Sequence, residues 1–100
     1  MGPRTRKRDH DFRFVTNHGH VLACISADPG ARLRDIASTV EITERTAAQI
    51  VNELERAGYL TKIRDGRRNR YEVHDELPLR HALHRHHTVG DLIRFLRDPR

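Results

Sequence analysis

Aromatic residues are scarce in this chain of 100 residues, which has three Phe, two Tyr and no Trp. Aromatic rings often supply much of a small domain's buried area. The core must therefore come mostly from aliphatic side chains, and hydrophobic residues of all kinds make up only 36% of the chain. A domain of this length buries a limited share of its surface and is marginally stable alone. We expect one small domain that a partner subunit would stabilise.

Cysteine and long apolar runs are also rare. The single cysteine, Cys24, excludes an internal disulfide framework and fits a reducing cytosol. It lies in the apolar run 21–25, which favours a buried, inert thiol over a redox sensor. No run approaches the roughly 20 apolar residues of a membrane span, and the N-terminus carries no apolar signal core. We therefore expect a cytoplasmic protein with no membrane partner.

Motifs of enzymes are missing as well. The chain has no glycine-rich phosphate loop, no nucleophile elbow, and no Cys, His and carboxylate set at a catalytic spacing. Asp35, Glu44 and Glu53 are interpreted as carboxylates on helix surfaces, where they cap or pair. We predict no catalytic residue, no cofactor and no enzymatic activity. The net charge of +5 instead favours a polyanionic partner.

The clearest pattern in the chain is an amphipathic helix over residues 43–57. An apolar stripe at i, i+3, i+4 and i+7 is formed by Ala47, Ile50, Val51 and Leu54. Long polar side chains fall on the opposite side, namely Arg45, Gln49, Asn52 and Arg56. A helix held by a core and inserted into a groove needs this division, although an ordinary surface helix would show it too.

The stretch before this helix predicts a second, shorter one. Ile36, Ala37 and Val40 share one face over residues 34–40. Glu41 and Ile42 form a tight connection, and Thr43 is a suitable N-cap for the next helix. Two short helices joined by such a turn make a helix-turn-helix. A further helix is expected upstream, capped by residue 16 or 17 and ended by the Asp-Pro-Gly at 28–30.

The stretch after it predicts a basic β-hairpin. Gly58 is suited to end the helix in a left-handed conformation. Residues 59–64 and 69–73 read as strands around an Asp65-Gly66 turn, with Tyr71 and Val73 facing the core. Arg32-Leu33 is expected to add a short edge strand. The basic residues of the hairpin are Lys62, Arg64, Arg67, Arg68 and Arg70.

Residues 18–74 taken together resemble the winged helix-turn-helix domain of bacterial and archaeal transcription regulators in the MarR and ArsR group. The resemblance rests on residues 33–37, 42–43, 46–54, 54–60 and 65–68. One departure is Glu41, where such turns usually carry glycine, and a left-handed conformation there costs about 1 kcal/mol. The resemblance implies a mainly α fold with a small β-hairpin, a winged helix-turn-helix with an extra C-terminal helical segment.

The resemblance also implies sequence-specific binding to double-stranded DNA by a homodimeric transcription regulator, often a repressor. The recognition helix would enter the major groove, with Arg45 and Gln49 as base readers and Thr43 and Thr46 on phosphates or base edges. Glu44 either accepts from cytosine or caps its helix. The hairpin residues Lys62, Arg64, Arg67, Arg68 and Arg70 would bind phosphates or the minor groove. The alternative is a winged-helix module that binds an acidic protein.

The flanks divide the chain into residues 1–13, 14–75 and 76–100. Arg4, Arg6, Lys7 and Arg8 make the first part a basic, disordered arm that either follows DNA or is a solvated tail. In the last part, one helix is predicted from the stripe Leu79, Ala82, Leu83 and His86. A Thr88–Asp91 capping box starts another. Its apolar stripe is predicted to dimerise through Val89, Leu92, Ile93 and Leu96, the alternative being docking on its own domain.

Histidines cluster in the same last part, at His81, His84, His86 and His87. The first two could form a two-histidine clip on a helix, but a tight zinc site needs three or four ligands. The cysteines of ArsR-type thiolate sensors are replaced here by Arg32 and Arg34. We therefore predict no metal site, and the histidines are interpreted as a helix surface or a dimer interface. MarR-type proteins have longer flanking helices around an effector pocket, so an effector stays unknown.

Overall fold

The computed structural model describes residues 15–81 and 83–97. In chain order these residues form α1 (Asn17–Ala27), α2 (Leu33–Val40), α3 (Glu44–Arg56), β1 (Leu60–Asp65), β2 (Arg68–Val73) and α4 (Val89–Arg97). The predicted mainly α fold with one β-hairpin is confirmed. Within these residues no helix is long and apolar enough to cross a membrane. The predicted basic arm, residues 1–13, lies outside the described residues.

The first three helices enclose a core of aliphatic side chains. Val21 and Ile25 of α1 and Ile36 of α2 are fully buried there. Tyr71 of β2 is the one buried aromatic residue among those the structure describes, and no buried polar or charged residue is found among them. Cys24 is half-buried beside this core, and burial raises the pKa of its thiol, which keeps it in the unreactive protonated form.

The turn between α2 and α3 is held in a strained conformation. Glu41 ends α2 with φ 67° and ψ 48°, and it is the one non-glycine residue with positive φ in the described part of the chain. Its backbone N–H and that of Ile42 both donate to the carbonyl of Ala37, the latter at 2.9 Å. Of the two outcomes that the missing glycine leaves open, a different turn or a strained one, the structure shows the strained left-handed turn, which places two N–H donors on the carbonyl of Ala37.

The hairpin turns one residue later than the sequence predicts. Its register pairs Leu60 with Val73 and Asp65 with Arg68, which leaves Gly66 and Arg67 as a two-residue loop. Gly66 has a φ of 65°, which a glycine adopts without steric cost. The hairpin is defined here as the wing. Only its base is anchored in the core, through the first residue of β1 and the inward-facing residues of β2.

The prediction of an edge strand at Arg32-Leu33 is wrong. Leu33 begins α2, and Arg32 is the N-cap of that helix. The outer edge of β2 is instead contacted by the preceding loop, because the N–H of Tyr71 donates to the carbonyl of Pro29 at 3.0 Å. The side chain of Arg68 also holds this loop, since its Nη2 donates to the carbonyl of Gly30 at 2.6 Å. These bonds hold the loop against the wing without forming a strand, and the sheet has two strands in the described part of the chain.

The prediction of a helix through Leu79, Leu83 and His86 is also wrong, because the described residues between β2 and α4 contain no helix and form mostly turns and bends. Ala82, the fourth residue of that prediction, lies outside the described residues. This connection folds back on itself, with the N–H of Leu79 donating to the carbonyl of His87 at 3.0 Å. Leu79 packs against the core but Leu83 is 72% exposed, so the residues expected on one apolar face are not buried together. Spacing alone cannot stabilise a short helix whose apolar side is not buried.

The last helix begins where the capping box predicts, and two of the residues expected at a dimer interface lie in the chain's own core. Thr88 Oγ1 accepts from the N–H of Asp91 at 3.1 Å, and Asp91 Oδ2 accepts from the N–H of Thr88 at 2.9 Å. The helix packs on α1, so Val89 and Ile93 are buried in the chain's own core rather than left for a second subunit. Leu92 and Leu96 are half-buried. Dimerisation through this helix stays a prediction.

Candidate nucleic-acid interface

The most rigidly held element of the candidate interface is α3. Thr43 caps its start, and its Oγ1 accepts from the N–H of Thr46 at 3.0 Å and lies 2.9 Å from Thr46 Oγ1. The predicted stripe is buried along its full length, from Ala47 to Leu54. At the far end, Arg80 Nη2 donates to the carbonyl of Ala57 at 2.6 Å. The helix is held at both ends and along one side, so the positions of its outward side chains are well defined.

The outward side of α3 forms a shallow hollow of about 440 Å³. We call this surface the α3 face; it comprises Arg45, Ala48, Gln49, Asn52, Glu53 and Arg56. The structure therefore brings the two predicted base readers, Arg45 and Gln49, to one exposed surface. Glu44 is exposed in the first turn, where its carboxylate interacts favourably with the helix dipole. Guanidinium and amide groups on one helix side are suited to hydrogen-bonding base edges.

The sequence did not single out two residues here for binding, namely Glu53 of the α3 face and His18 of α1, which contacts it. Glu53 Oε2 accepts from Gln49 Nε2 at 3.3 Å, and Glu53 Oε1 lies 2.7 Å from His18 Nε2 of α1. The hydrogen bond to His18, followed by that to Gln49, lowers the pKa of the Glu53 carboxyl. The i, i+4 spacing of Gln49 and Glu53 could have indicated their contact. Nothing in the sequence could have indicated His18, which lies 35 residues away.

The wing carries the other predicted contact residues, all of them exposed. Residues 60–73 contain five basic and two acidic side chains, giving a net charge of 5 − 2 = +3. Three of the basic groups are anchored within the domain. Lys62 Nζ lies 3.6 Å from Glu55 Oε1 of α3, Arg64 Nε donates to the carbonyl of Gly66 at 3.0 Å, and Arg68 Nη2 donates to that of Gly30 at 2.6 Å.

Anchoring leaves these groups able to bind an anion. An arginine has five N–H donors, so Arg64 and Arg68 each keep donors beyond the bond that holds them. Arg67 lies in the two-residue loop at the wing tip, and Arg70 lies on β2 opposite Ile63. No hydrogen bond or ion pair among the described residues restrains either of these last two guanidinium groups.

A cleft between the wing and the start of α2 extends the positive surface. It has a volume of about 420 Å³, and its lining includes Arg32, Arg67, Arg68, Asn69 and Tyr71. Arg32 was not among the predicted contact residues, although its place just before the helix could have indicated it. Three guanidinium groups beside a helix N-terminus make the cleft electropositive.

The clustered histidines lie away from these surfaces, in the connection before α4. The rings of His81 and His84 have centroids 5.4 Å apart, and His87 Nδ1 lies 3.5 Å from Asp91 Oδ2. Within the described residues no group of three or more His, Cys, Asp or Glu side chains is placed to hold a metal ion.

A family model described as winged helix-turn-helix DNA-binding matches residues 16–61, from the cap of α1 into β1. The chain contains a winged helix-turn-helix DNA-binding domain. The expected resemblance to winged helix-turn-helix regulators is thereby confirmed. A comparison with curated protein sequences finds no match.

Solved structures agree with this assignment. The domain is similar to the PcaV transcriptional regulator from Streptomyces coelicolor, solved in complex with its natural ligand, with a TM-score of 0.54 and 34% identity. That match covers 62% of this chain and 46% of PcaV, and a second PcaV structure gives a TM-score of 0.53 at 34% identity, covering 62% and 48%. The chain thus spans about half the length of PcaV.

A third solved structure shares the fold. MepR, a transcription regulator of the Staphylococcus aureus multidrug efflux pump MepA, matches with a TM-score of 0.52 and 23% identity, over 70% of this chain and 54% of MepR. PcaV and MepR are both MarR-family regulators. The winged helix-turn-helix of this chain is therefore MarR-like.

Proposed function

We propose that this chain is a transcription regulator that binds double-stranded DNA in a sequence-specific manner. The observation that carries the proposal is the α3 face, where Arg45 and Gln49 share the exposed side of a helix whose other side is buried. The wing adds a net charge of +3 next to this helix. The proposed molecule has no enzymatic activity and acts in the cytoplasm, on the nucleoid when it is bound to DNA.

In the proposed complex the first turns of α3 enter the major groove. Arg45 donates to guanine, and Gln49 pairs with adenine, because these side chains match the edges of those bases. Thr43 and Thr46 contact phosphates or base edges beside the helix cap. The wing residues bind phosphates or enter the minor groove, and the likeness to MarR-family regulators supports this arrangement.

We further propose that the chain acts as a homodimer on near-palindromic sites, and as a repressor that blocks polymerase. Leu92 and Leu96 of α4 are half-buried, and Phe95 beside them is 76% exposed. A large ring open to water on a terminal helix supports pairing with a second copy, which would cover it. Because Phe95 makes little contact with its own domain, Phe95→Asp should give a folded monomer in sedimentation. A wild type that is already monomeric at tens of micromolar would contradict the dimer.

Enrichment of bound sequences from random duplex DNA tests the function directly. The expected outcome is one preferred site, whose symmetry reports the number of subunits. On that site, log affinity should fall against log salt by about 0.9 per phosphate contact. Binding that is independent of salt, with no enriched sequence, would refute the proposal, and capture of acidic peptides in place of duplex would support a protein-binding module.

A further inference from the structure

We propose that Glu53 is a positioning residue that determines specificity, because it fixes the orientation of the Gln49 amide on the α3 face. His18 of α1 holds the Glu53 carboxylate in place. This inference rests on the proposed function, in which α3 reads base pairs, and it adds to that function a residue that need not touch DNA.

The geometry gives each oxygen of the Glu53 carboxylate its own partner. Oε1 lies 2.7 Å from His18 Nε2, and Oε2 lies 3.3 Å from Gln49 Nε2. His18 lies on α1, which packs against α3. The packing of these two helices therefore fixes the position of His18, the first of the three hydrogen-bonded side chains. Gln49 is one helical turn from Glu53 and forms the other end.

The chemistry of the three groups makes this arrangement directional. An ionised carboxylate can only accept hydrogen bonds, whereas a glutamine amide has a donor end and an acceptor end. The NH₂ end of Gln49 must therefore face Glu53, since the reversed amide would set its carbonyl oxygen against a carboxylate oxygen. The carboxylate is the form present at neutral pH, since the ordinary pKa of 4.5 already lies well below 7 and the hydrogen bonds from His18 and Gln49 lower the pKa of Glu53 further.

A fixed amide matters because adenine presents one acceptor and one donor in the major groove. A glutamine recognises both at once, donating an N–H to N7 and accepting from the N6 amino group. Gln49 has two N–H groups, so one can remain on Glu53 while the other reaches the base. Without Glu53 the amide can present either end, and a base with a different pattern would be bound almost as well.

The decisive measurement is discrimination among single-base variants of the enriched site. Glu53→Gln has nearly the same shape but carries both donors and acceptors, so it no longer selects one amide orientation. A good bidentate contact discriminates by about 5- to 150-fold. We expect Glu53→Gln to reduce discrimination at the base pair read by Gln49 by a factor of about five or more. The preferences at other positions should be kept.

A double-mutant cycle tests whether Glu53 acts through Gln49. In a Gln49→Ala background, Glu53→Gln should cause no additional loss of discrimination, because the amide to be oriented is absent. His18→Ala should give a smaller loss at the same base pair, since the bond between Gln49 and Glu53 remains. Melting temperatures should stay near that of the wild type, because His18 and Glu53 are partly exposed, at 47% and 42%, and a solvent-accessible pair contributes little to stability.

The same helix provides a matched control, Glu55→Gln. Glu55 pairs with Lys62 of the wing and has no contact with Gln49 among those described. Both Glu→Gln substitutions remove one negative charge from α3 and should raise the affinity for all duplexes to a similar degree. Only Glu53→Gln should change the ranking of sites.

The possible failures are distinguishable. If Glu53→Gln keeps the wild-type preference at every base pair of the bound site, Glu53 is not a positioning residue, and the proposed function stands. The inference is also overturned if Glu53→Gln loses discrimination equally in the Gln49→Ala background. If the wild type shows no preference among duplexes, the proposed function itself is wrong.

Discussion

The α3 face and the wing carry the same kinds of charged side chain on very different supports. The α3 face projects from a helix that is capped at Thr43, buried along its stripe and bonded at its exit by Arg80. The wing is anchored at its base, and every residue from 61 to 70 is exposed. Base recognition needs placement within about 0.5 Å, whereas a charged contact with a phosphate tolerates more variation. The two supports therefore fit the proposed division, in which the α3 face reads base pairs and the wing binds phosphates.

The largest expected difference between the two regions is in stability. Ile50 of α3 is 5% exposed, so Ile50→Ala should cost about 2–5 kcal/mol of unfolding free energy through lost burial and a cavity. Ile63 of β1 is 43% exposed, and Ile63→Ala should cost about 0.5 kcal/mol. Urea denaturation of the two variants measures both values. Equal costs would show that the wing is as much a part of the core as α3.

The next difference is between sequence discrimination, expected from the α3 face, and overall affinity for DNA, expected from the wing. Arg45→Ala should remove about 1–3 kcal/mol of discrimination at one base pair and leave stability nearly unchanged. Arg67→Ala, at the wing tip, should weaken all sequences alike and reduce the salt slope by about 0.9. Titrations of the enriched site and its variants at several salt concentrations separate the two effects. A changed site ranking in the Arg67 variant would place base reading in the wing as well.

The smallest expected effect concerns acid stability and α3 alone. The pKa of Glu53 is lowered from its ordinary 4.5 in the folded chain, so its pair with His18 stabilises the fold above that pH. The contribution should disappear as the pH falls through the lowered folded value. Melting temperatures between pH 6 and pH 3 should therefore decline less steeply for Glu53→Gln than for the wild type. Parallel declines would mean that the pair does not contribute to stability.

Patterns with a local cause were predictable from the sequence. The stripe of α3 needs only helical spacing, and the Thr43 cap and the Thr88–Asp91 box need only residues three positions apart. Gly58, with a φ of 94°, likewise follows from the demands of a helix end. These features depend on neighbours in the chain, so the residues themselves indicate them.

Features that depend on packing were not predictable. The helix expected around Leu83 failed because helical spacing does not reveal whether a stripe has a surface to cover. Val89 and Ile93 showed an apolar stripe, but the sequence could not show that α1 would cover it. The pairing of His18 with Glu53 requires α1 and α3 to be placed side by side. In each case the missing information was the position of one element against another.

Glu41 shows that the geometry of α2, the turn and α3 depends on the rest of the domain. Its left-handed backbone costs about 1 kcal/mol relative to the usual helical conformation, so the turn residue itself opposes the geometry it adopts. Such local frustration persists only because the surrounding contacts agree on one structure. An excised peptide of α2, turn and α3 would lose the packing against α1 and relax at Glu41. The smallest unit that could carry out the proposed reading of DNA is therefore the folded domain, and a helix pair grafted elsewhere would avoid this cost with glycine at position 41.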